Sequence, residues 1–132
     1  LETGGISFLH LGDNRADWPG DVTRAIGEID VLLVTVDDSN HLLQPEEVDS
    51  LIERLSPKIV VPMHYQIPGL MADDSGLKPP ESWIATQPIV KRLVGESATF
   101  SAQELPSQTE VWVFQPSPAS FTSPPLERPD DL

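Results

Sequence analysis

The sequence predicts an α/β fold, and three observations indicate it. Two short apolar runs, residues 30–36 and 58–62, lack polar alternation, which is typical of strands covered on both faces. Between them, Pro45–Leu55 has apolar residues at helical spacing and a proline suited to a first turn. The three segments span about 33 residues, the length of one βαβ unit, so the two strands should run parallel.

The segments before this unit also read as short elements. Ile6–His10 is an apolar run bounded by glycines and is predicted to be a strand. A polar loop follows it. A short helix is predicted over residues 22–27, with Asp21 as its N-cap and Gly27 at its end.

The second half of the chain contains fewer regular patterns. Residues 66–82 are rich in Pro, Gly and Asp and predict a long loop beside His64, of the kind that often forms a lid or binding loop. A helix is predicted over residues 87–94, and closing strands over residues 98–101 and 110–114.

The chain is predicted to divide into a folded part and a tail. Residues 1–115 form one partial domain in this interpretation. Residues 116–132 contain five of the 14 prolines and few apolar groups, so they predict a disordered tail.

Composition excludes several classes of protein. The chain has 21 acidic and 8 basic residues, a net charge of −13 and no cysteine. Disulfide modules and cysteine zinc sites require thiols, and nucleic-acid surfaces require clustered Lys and Arg. No apolar run is long enough for a membrane span, and no signal-peptide core is present, so we expect a cytoplasmic protein. Because the first residue is Leu, we expect a piece of a longer chain.

Few side chains could perform chemistry. The serines have no nucleophile-elbow context, and no phosphate-cradling glycine motif occurs. Asp13 and His64 each follow a predicted strand, at the sheet edge where α/β sites collect. A fixed neutral imidazole and a carboxylate suit a metal ion. A buried structural histidine and a loop-capping aspartate remain as alternatives.

Two motifs resemble a known family. His10-Leu11-Gly12-Asp13 and the run PKIVVPMHY ending at Tyr65 resemble the metallo-β-lactamase-fold hydrolases, closest to the ascorbate-6-phosphate lactonase-like branch. The resemblance covers residues 4–115. It implies the C-terminal half of an αββα sandwich, with a mixed sheet and covering helices. It also implies a site of one or two metal ions that activate water for the hydrolysis of a lactone, phosphodiester or other ester bond, with a small-molecule ester or lactone as the expected substrate.

The resemblance implies roles for individual residues. Asp13 matches the acidic ligand that bridges two metals, and His64 matches the last histidine ligand. His10 is expected to support the ligands or pack along its strand, and His41 and Asp37 are expected at the rim. The family's HxHxDH motif is absent. The expected ions are zinc or manganese, two in the complete protein, with iron not separated from them.

Besides an unrelated acidic α/β domain whose similarity arises by chance, two functional interpretations follow. The first is a hydrolase fragment, inactive alone because half of its metal site is missing. The second is a non-catalytic regulatory or interaction domain derived from the same fold. In both, a half-sandwich exposes an apolar sheet face, so poor solubility or a homo-oligomer is expected.

Overall fold

The computed structural model describes residues 1–39, 41–70 and 74–116, and the tail predicted over residues 116–132 lies outside them except for Pro116. The strands are β1 (Glu2–Thr3), β2 (Ile6–His10), β3 (Val31–Thr35), β4 (Ile59–Met63), β5 (Val90–Arg92) and β6 (Glu110–Val113). The helices are α1 (Gly20–Ile26), α2 (Pro45–Leu55) and α3 (Glu81–Ile84).

All the strands of the described chain lie in one sheet, in the order β1-β2-β3-β4-β6-β5. Only the β1–β2 pair is antiparallel, and the other pairs are parallel. This confirms the predicted mixed sheet and the parallel β3–α2–β4 unit. Because β2, β3 and β4 are parallel neighbours, the segments that follow them meet at one edge of the sheet.

The sheet is apolar on both faces. Along β3, Leu32 and Val34 belong to the core beneath the helices, whereas Val31 and Leu33 belong to a second core on the opposite face. Because β3 packs against a core on each face, its first four residues, 31–34, are all apolar. The other buried members of the second core are Ile6, Ile59 and Trp112.

The second face is partly covered by the chain itself. Phe100 packs edge-on against Trp112, with ring centroids 5.3 Å apart. Leu93 and Leu105 are partly buried against the same core.

The predicted strand over residues 98–101 is wrong. Ser101 instead begins a 3-10 turn, because its backbone N–H and its hydroxyl both donate to Glu104. These bonds hold the pKa of Glu104 below its ordinary value.

The α2 helix forms over the predicted residues. Pro45 occupies its first turn, and Gln44 and Glu47 form a capping box at its start. It ends at Ser56, whose φ of 47° is left-handed. Val48, Leu51 and Leu55 are buried, whereas Ile52 at the stripe's edge is only half-buried.

Two helix predictions need correction. Asp21 does not cap α1: the cap position is Pro19, no side chain bonds there, and Asp21 lies in the first turn. Gly27 ends the helix as predicted, with a φ of 69°. The helix predicted over residues 87–94 is wrong, because Val90–Arg92 pairs with β6 as an edge strand. The β-branched Val90 at its start suits that pairing.

Candidate metal site at the strand ends

Asp13 and His64 come together over the end of β3. Asp13 follows β2 and His64 directly follows β4, and β3 separates these two strands. Neighbouring strands lie about 4.8 Å apart, so β2 and β4 are about twice that distance from each other. Yet Asp13 Oδ1 and His64 Nε2 are only 3.9 Å apart. Both side chains therefore lean across the end of the central strand.

His64 has an unusual backbone conformation. Its φ of 60° is left-handed, which is uncommon for a residue with a Cβ and often marks functional positions. The strand before it is held in place, since the Val36 N–H donates to the Met63 carbonyl at 3.0 Å. The imidazole remains 36% exposed. It is therefore anchored by its backbone and still accessible from solvent.

The turn that presents Asp13 is held by short-range hydrogen bonds. Gly12, with a φ of 61°, donates its N–H to His10 Nδ1 at 3.1 Å. The Asn14 amide donates to the Leu11 carbonyl at 2.7 Å. The Asp13 side chain itself is 76% exposed. His10 is exposed and supports this turn rather than packing along its strand.

The loop after β3 contains His41 and Asp37, the two residues that were predicted at the rim of the site. The His41 ring stacks on His64, with centroids 5.7 Å apart and planes within 17°. Two parallel stacked imidazoles do not aim their nitrogens at one point, so this geometry fits a rim position. Asp37 is buried, and its Oδ1 accepts hydrogen bonds from the backbone and the hydroxyl of Ser39. It caps its own loop.

The long loop after His64 is tied down at two points. The Gln66 N–H donates to the Lys78 carbonyl at 3.1 Å, which closes the base of the loop. Asp38 joins it to the loop after β3, since its N–H donates to Pro79 and its carboxylate accepts from the Ser82 N–H, both at 3.3 Å. A lid role for this segment stays a prediction.

Two residues at this edge were not predicted as functional. Tyr65 lines a pocket of about 250 Å³ together with His64, Met63 and Phe114. Thr35, the last residue of β3, is buried, and its hydroxyl has no hydrogen-bond partner among the described residues. The available signal for Thr35 was that it is the one polar residue within the apolar run of residues 31–36.

Burial and the nearby Glu81 carboxylate raise the pKa of Tyr65 above 10, and Arg92 partly opposes them. The unfolded chain therefore loses the phenol proton at lower pH than the folded chain. Stability from the neutral phenol is present below pH 10 and falls as the pH rises above it. Tyr65 is the only tyrosine. We expect phenolate absorbance to titrate above pH 10 when folded and near 10 in denaturant, and a midpoint of 10 or lower in the folded chain would contradict this.

The described residues contain no group of three or more His, Cys, Asp or Glu side chains placed to hold one metal ion. Asp13 and His64 are thus two candidate donors of different chemistry, and no other described His, Cys, Asp or Glu is placed to share one ion with both of them. Among the same residues, no helix is long and apolar enough to cross a membrane.

Comparison with known proteins identifies relatives of one kind. A family model for the β-lactamase superfamily domain matches residues 1–64. A UPF0173 metal-dependent hydrolase of Symbiobacterium thermophilum is 32% identical over an alignment of 104 residues that covers 75% of this chain and 46% of the relative. A UPF0173 metal-dependent hydrolase of Carboxydothermus hydrogenoformans is 29% identical over 76 residues, covering 58% of this chain and 33% of the relative.

A solved structure agrees with these matches. It is a Thermotoga maritima protein described as a Zn-dependent hydrolase of the metallo-β-lactamase superfamily. Its TM-score is 0.64 at 31% identity, covering 84% of this chain and 55% of that one. The chain therefore spans half or less of the curated relatives' length and about half of the solved one.

Proposed function

The chain is a metallo-β-lactamase-fold protein, and we propose that it supplies part of the metal site of a hydrolase, with Asp13 and His64 as ligands. The relatives are named metal-dependent hydrolases, which supports a metal requirement without identifying the ion. Zinc or manganese, two ions in the complete protein, and a cytoplasmic location belong to this proposal.

One observation carries the proposal: the approach of Asp13 Oδ1 to His64 Nε2 within 3.9 Å. Zinc bonds to carboxylate oxygen and imidazole nitrogen are each about 2.0–2.2 Å long, so one ion can contact both atoms across this gap. Oxygen and nitrogen donors also suit manganese. The two residues therefore fit a divalent cation in both chemistry and spacing.

The residues present have defined tasks in such a site. A bound cation supplies Lewis-acid activation of water for attack on an ester or lactone carbonyl. Asp13 and His64 hold that cation at the sheet edge. Tyr65 and Phe114 provide an apolar wall beside His64, where the organic part of a small substrate can pack.

The isolated chain is expected to bind metal weakly and to show no turnover. Catalytic zinc sites use three protein ligands and a water position, whereas the described residues bring together two ligands. The family's HxHxDH motif is absent from the sequence. We therefore propose that the remaining ligands come from outside the described residues.

A Zn²⁺ titration followed by NMR tests this proposal. We expect the His64 ring resonances to shift saturably, only with Zn²⁺ in excess over the chain, while His10 and His41 respond less. Asp13→Ala should weaken the His64 response at least about tenfold. Asp17→Ala is the matched control, because it removes the same charge from an exposed position in the same loop.

Two results would contradict the proposal. Equal shifts at all three histidines, or an unchanged response in Asp13→Ala, would mean that no specific site exists. Tight stoichiometric zinc binding with ester or lactone hydrolysis by the 132-residue chain would mean that the site is complete without further ligands.

The two-ligand count also favours a second candidate function, a non-catalytic interaction domain. That candidate predicts that Asp13→Ala and His64→Ala leave function intact, whereas truncation after Gln115 abolishes it. A pull-down of binding partners with the three variants separates the two candidates.

A further inference from the structure

Thr35 presents an energetic cost that the fold itself does not explain. It is 3% exposed, and within the described ranges its Oγ1 is the buried side-chain oxygen or nitrogen that lacks a hydrogen-bond partner. A buried hydroxyl that gives up its hydrogen bonds to water without replacing them destabilises the folded state. Such a group in a native structure calls for a specific explanation.

The position of Thr35 relates it to the metal site. It is the last residue of β3 and pairs with Met63, the residue before His64. By strand alternation it lies on the same face as Val31 and Leu33. Asp13 and His64 approach each other across the end of this same strand. The unpaired hydroxyl therefore lies at the strand end that the two ligands span.

The Asp13 carboxylate brings hydrogen-bond acceptors to this strand end. An ionised carboxylate has two acceptor oxygens, and the close polar contact recorded for the Asp13 side chain is with His64. Carboxylates that bind metals are themselves held by hydrogen bonds, which orient the ligand oxygen. A hydroxyl that donates to one oxygen leaves the other oxygen free for the cation.

We propose that Thr35 is a positioning residue of the metal site: its hydroxyl donates a hydrogen bond to the Asp13 carboxylate when that carboxylate holds a divalent cation. This inference rests on the proposed metal site. The hydroxyl lacks a partner while the Asp13 side chain extends into solvent, and it gains one when the carboxylate turns inward. The unpaired hydroxyl destabilises the metal-free chain, and the hydrogen bond that it forms in the metal-bound state strengthens metal binding.

Thr35→Val and Thr35→Ser variants test the proposal. Valine keeps the shape of threonine and removes the hydroxyl, and serine keeps the hydroxyl. In the Zn²⁺ titration of the 132-residue chain, we expect Thr35→Val to weaken the His64 response about tenfold or more. Thr35→Ser should retain the wild-type affinity. Without metal, the thermal midpoint of Thr35→Val should equal or exceed that of the wild type, because an unpaired buried hydroxyl has been removed.

The outcomes separate this inference from the proposed function. If wild-type His64 does not respond to Zn²⁺, the proposed metal site fails. If the wild type responds and Thr35→Val responds with equal affinity, only the role of Thr35 is overturned. If Thr35→Val loses affinity and its metal-free midpoint also falls, or if Thr35→Ser behaves like valine, Thr35 acts through packing and the inference is wrong.

Discussion

Trp83→Ala is expected to lower the free energy of unfolding by about 3–5 kcal/mol, among the largest effects of a single substitution in this chain. Trp83 is 2% exposed and fills the core between α3 and the sheet. Its indole N–H donates to Asp49 Oδ1 on α2 at 2.9 Å. Truncation removes a large buried surface and this link between the two helices. Urea unfolding followed by far-ultraviolet circular dichroism measures the effect.

Trp83→Phe is the matched variant for this prediction. It keeps an aromatic ring in the core but cannot donate to Asp49, so we expect a smaller loss than for alanine. The bond from the Ser82 N–H to Asp38 links the start of α3 to the loop after β3. A loss below about 1 kcal/mol for Trp83→Ala would mean that the α3 packing contributes little to stability.

Leu51→Ala is expected to cost about 2–5 kcal/mol, and Ile52→Ala clearly less. Leu51 is 1% exposed beneath the sheet, whereas Ile52, the next residue on α2, is half-buried. Both substitutions place alanine in the same helix, so helix propensity hardly distinguishes them. The difference between the two unfolding free energies therefore measures the burial of each side chain.

Equal losses for the two α2 variants would contradict the packing described here. They would place Leu51 and Ile52 in equivalent environments, as the helical spacing alone predicts for two residues of one apolar stripe. Chemical denaturation at one temperature, with equal denaturant slopes for both variants, makes the comparison valid.

Local patterns predicted the elements that position the site. The α2 bounds, the strand at Ile6–His10 and the parallel β3–α2–β4 unit follow from apolar spacing, a proline in the first turn and run length. These features are determined by short-range preferences and by which side chains avoid water. Asp13 and His64 lie at the same edge of the sheet because each follows a strand and these strands are parallel.

Prediction failed where local preference was weak. Val90–Arg92 and its neighbours can satisfy a helix or an edge strand, and pairing with β6 decides between them. Residues 98–101 do not pair, because Ser101 and Glu104 offer the backbone a local alternative. The S-x-x-E spacing could have revealed that turn, whereas nothing near Val90 reveals its distant partner.

The candidate site was likewise predictable from the sequence only in part. Residue type and position after a strand are local properties, and from them Asp13 and His64 could be proposed as candidate donors. Only the tertiary structure shows that their side chains close to 3.9 Å across β3, that His41 stacks on His64, and that Asp37 turns into its own loop. Distances between side chains on different strands depend on backbone angles and packing across the whole sheet, which no short segment encodes.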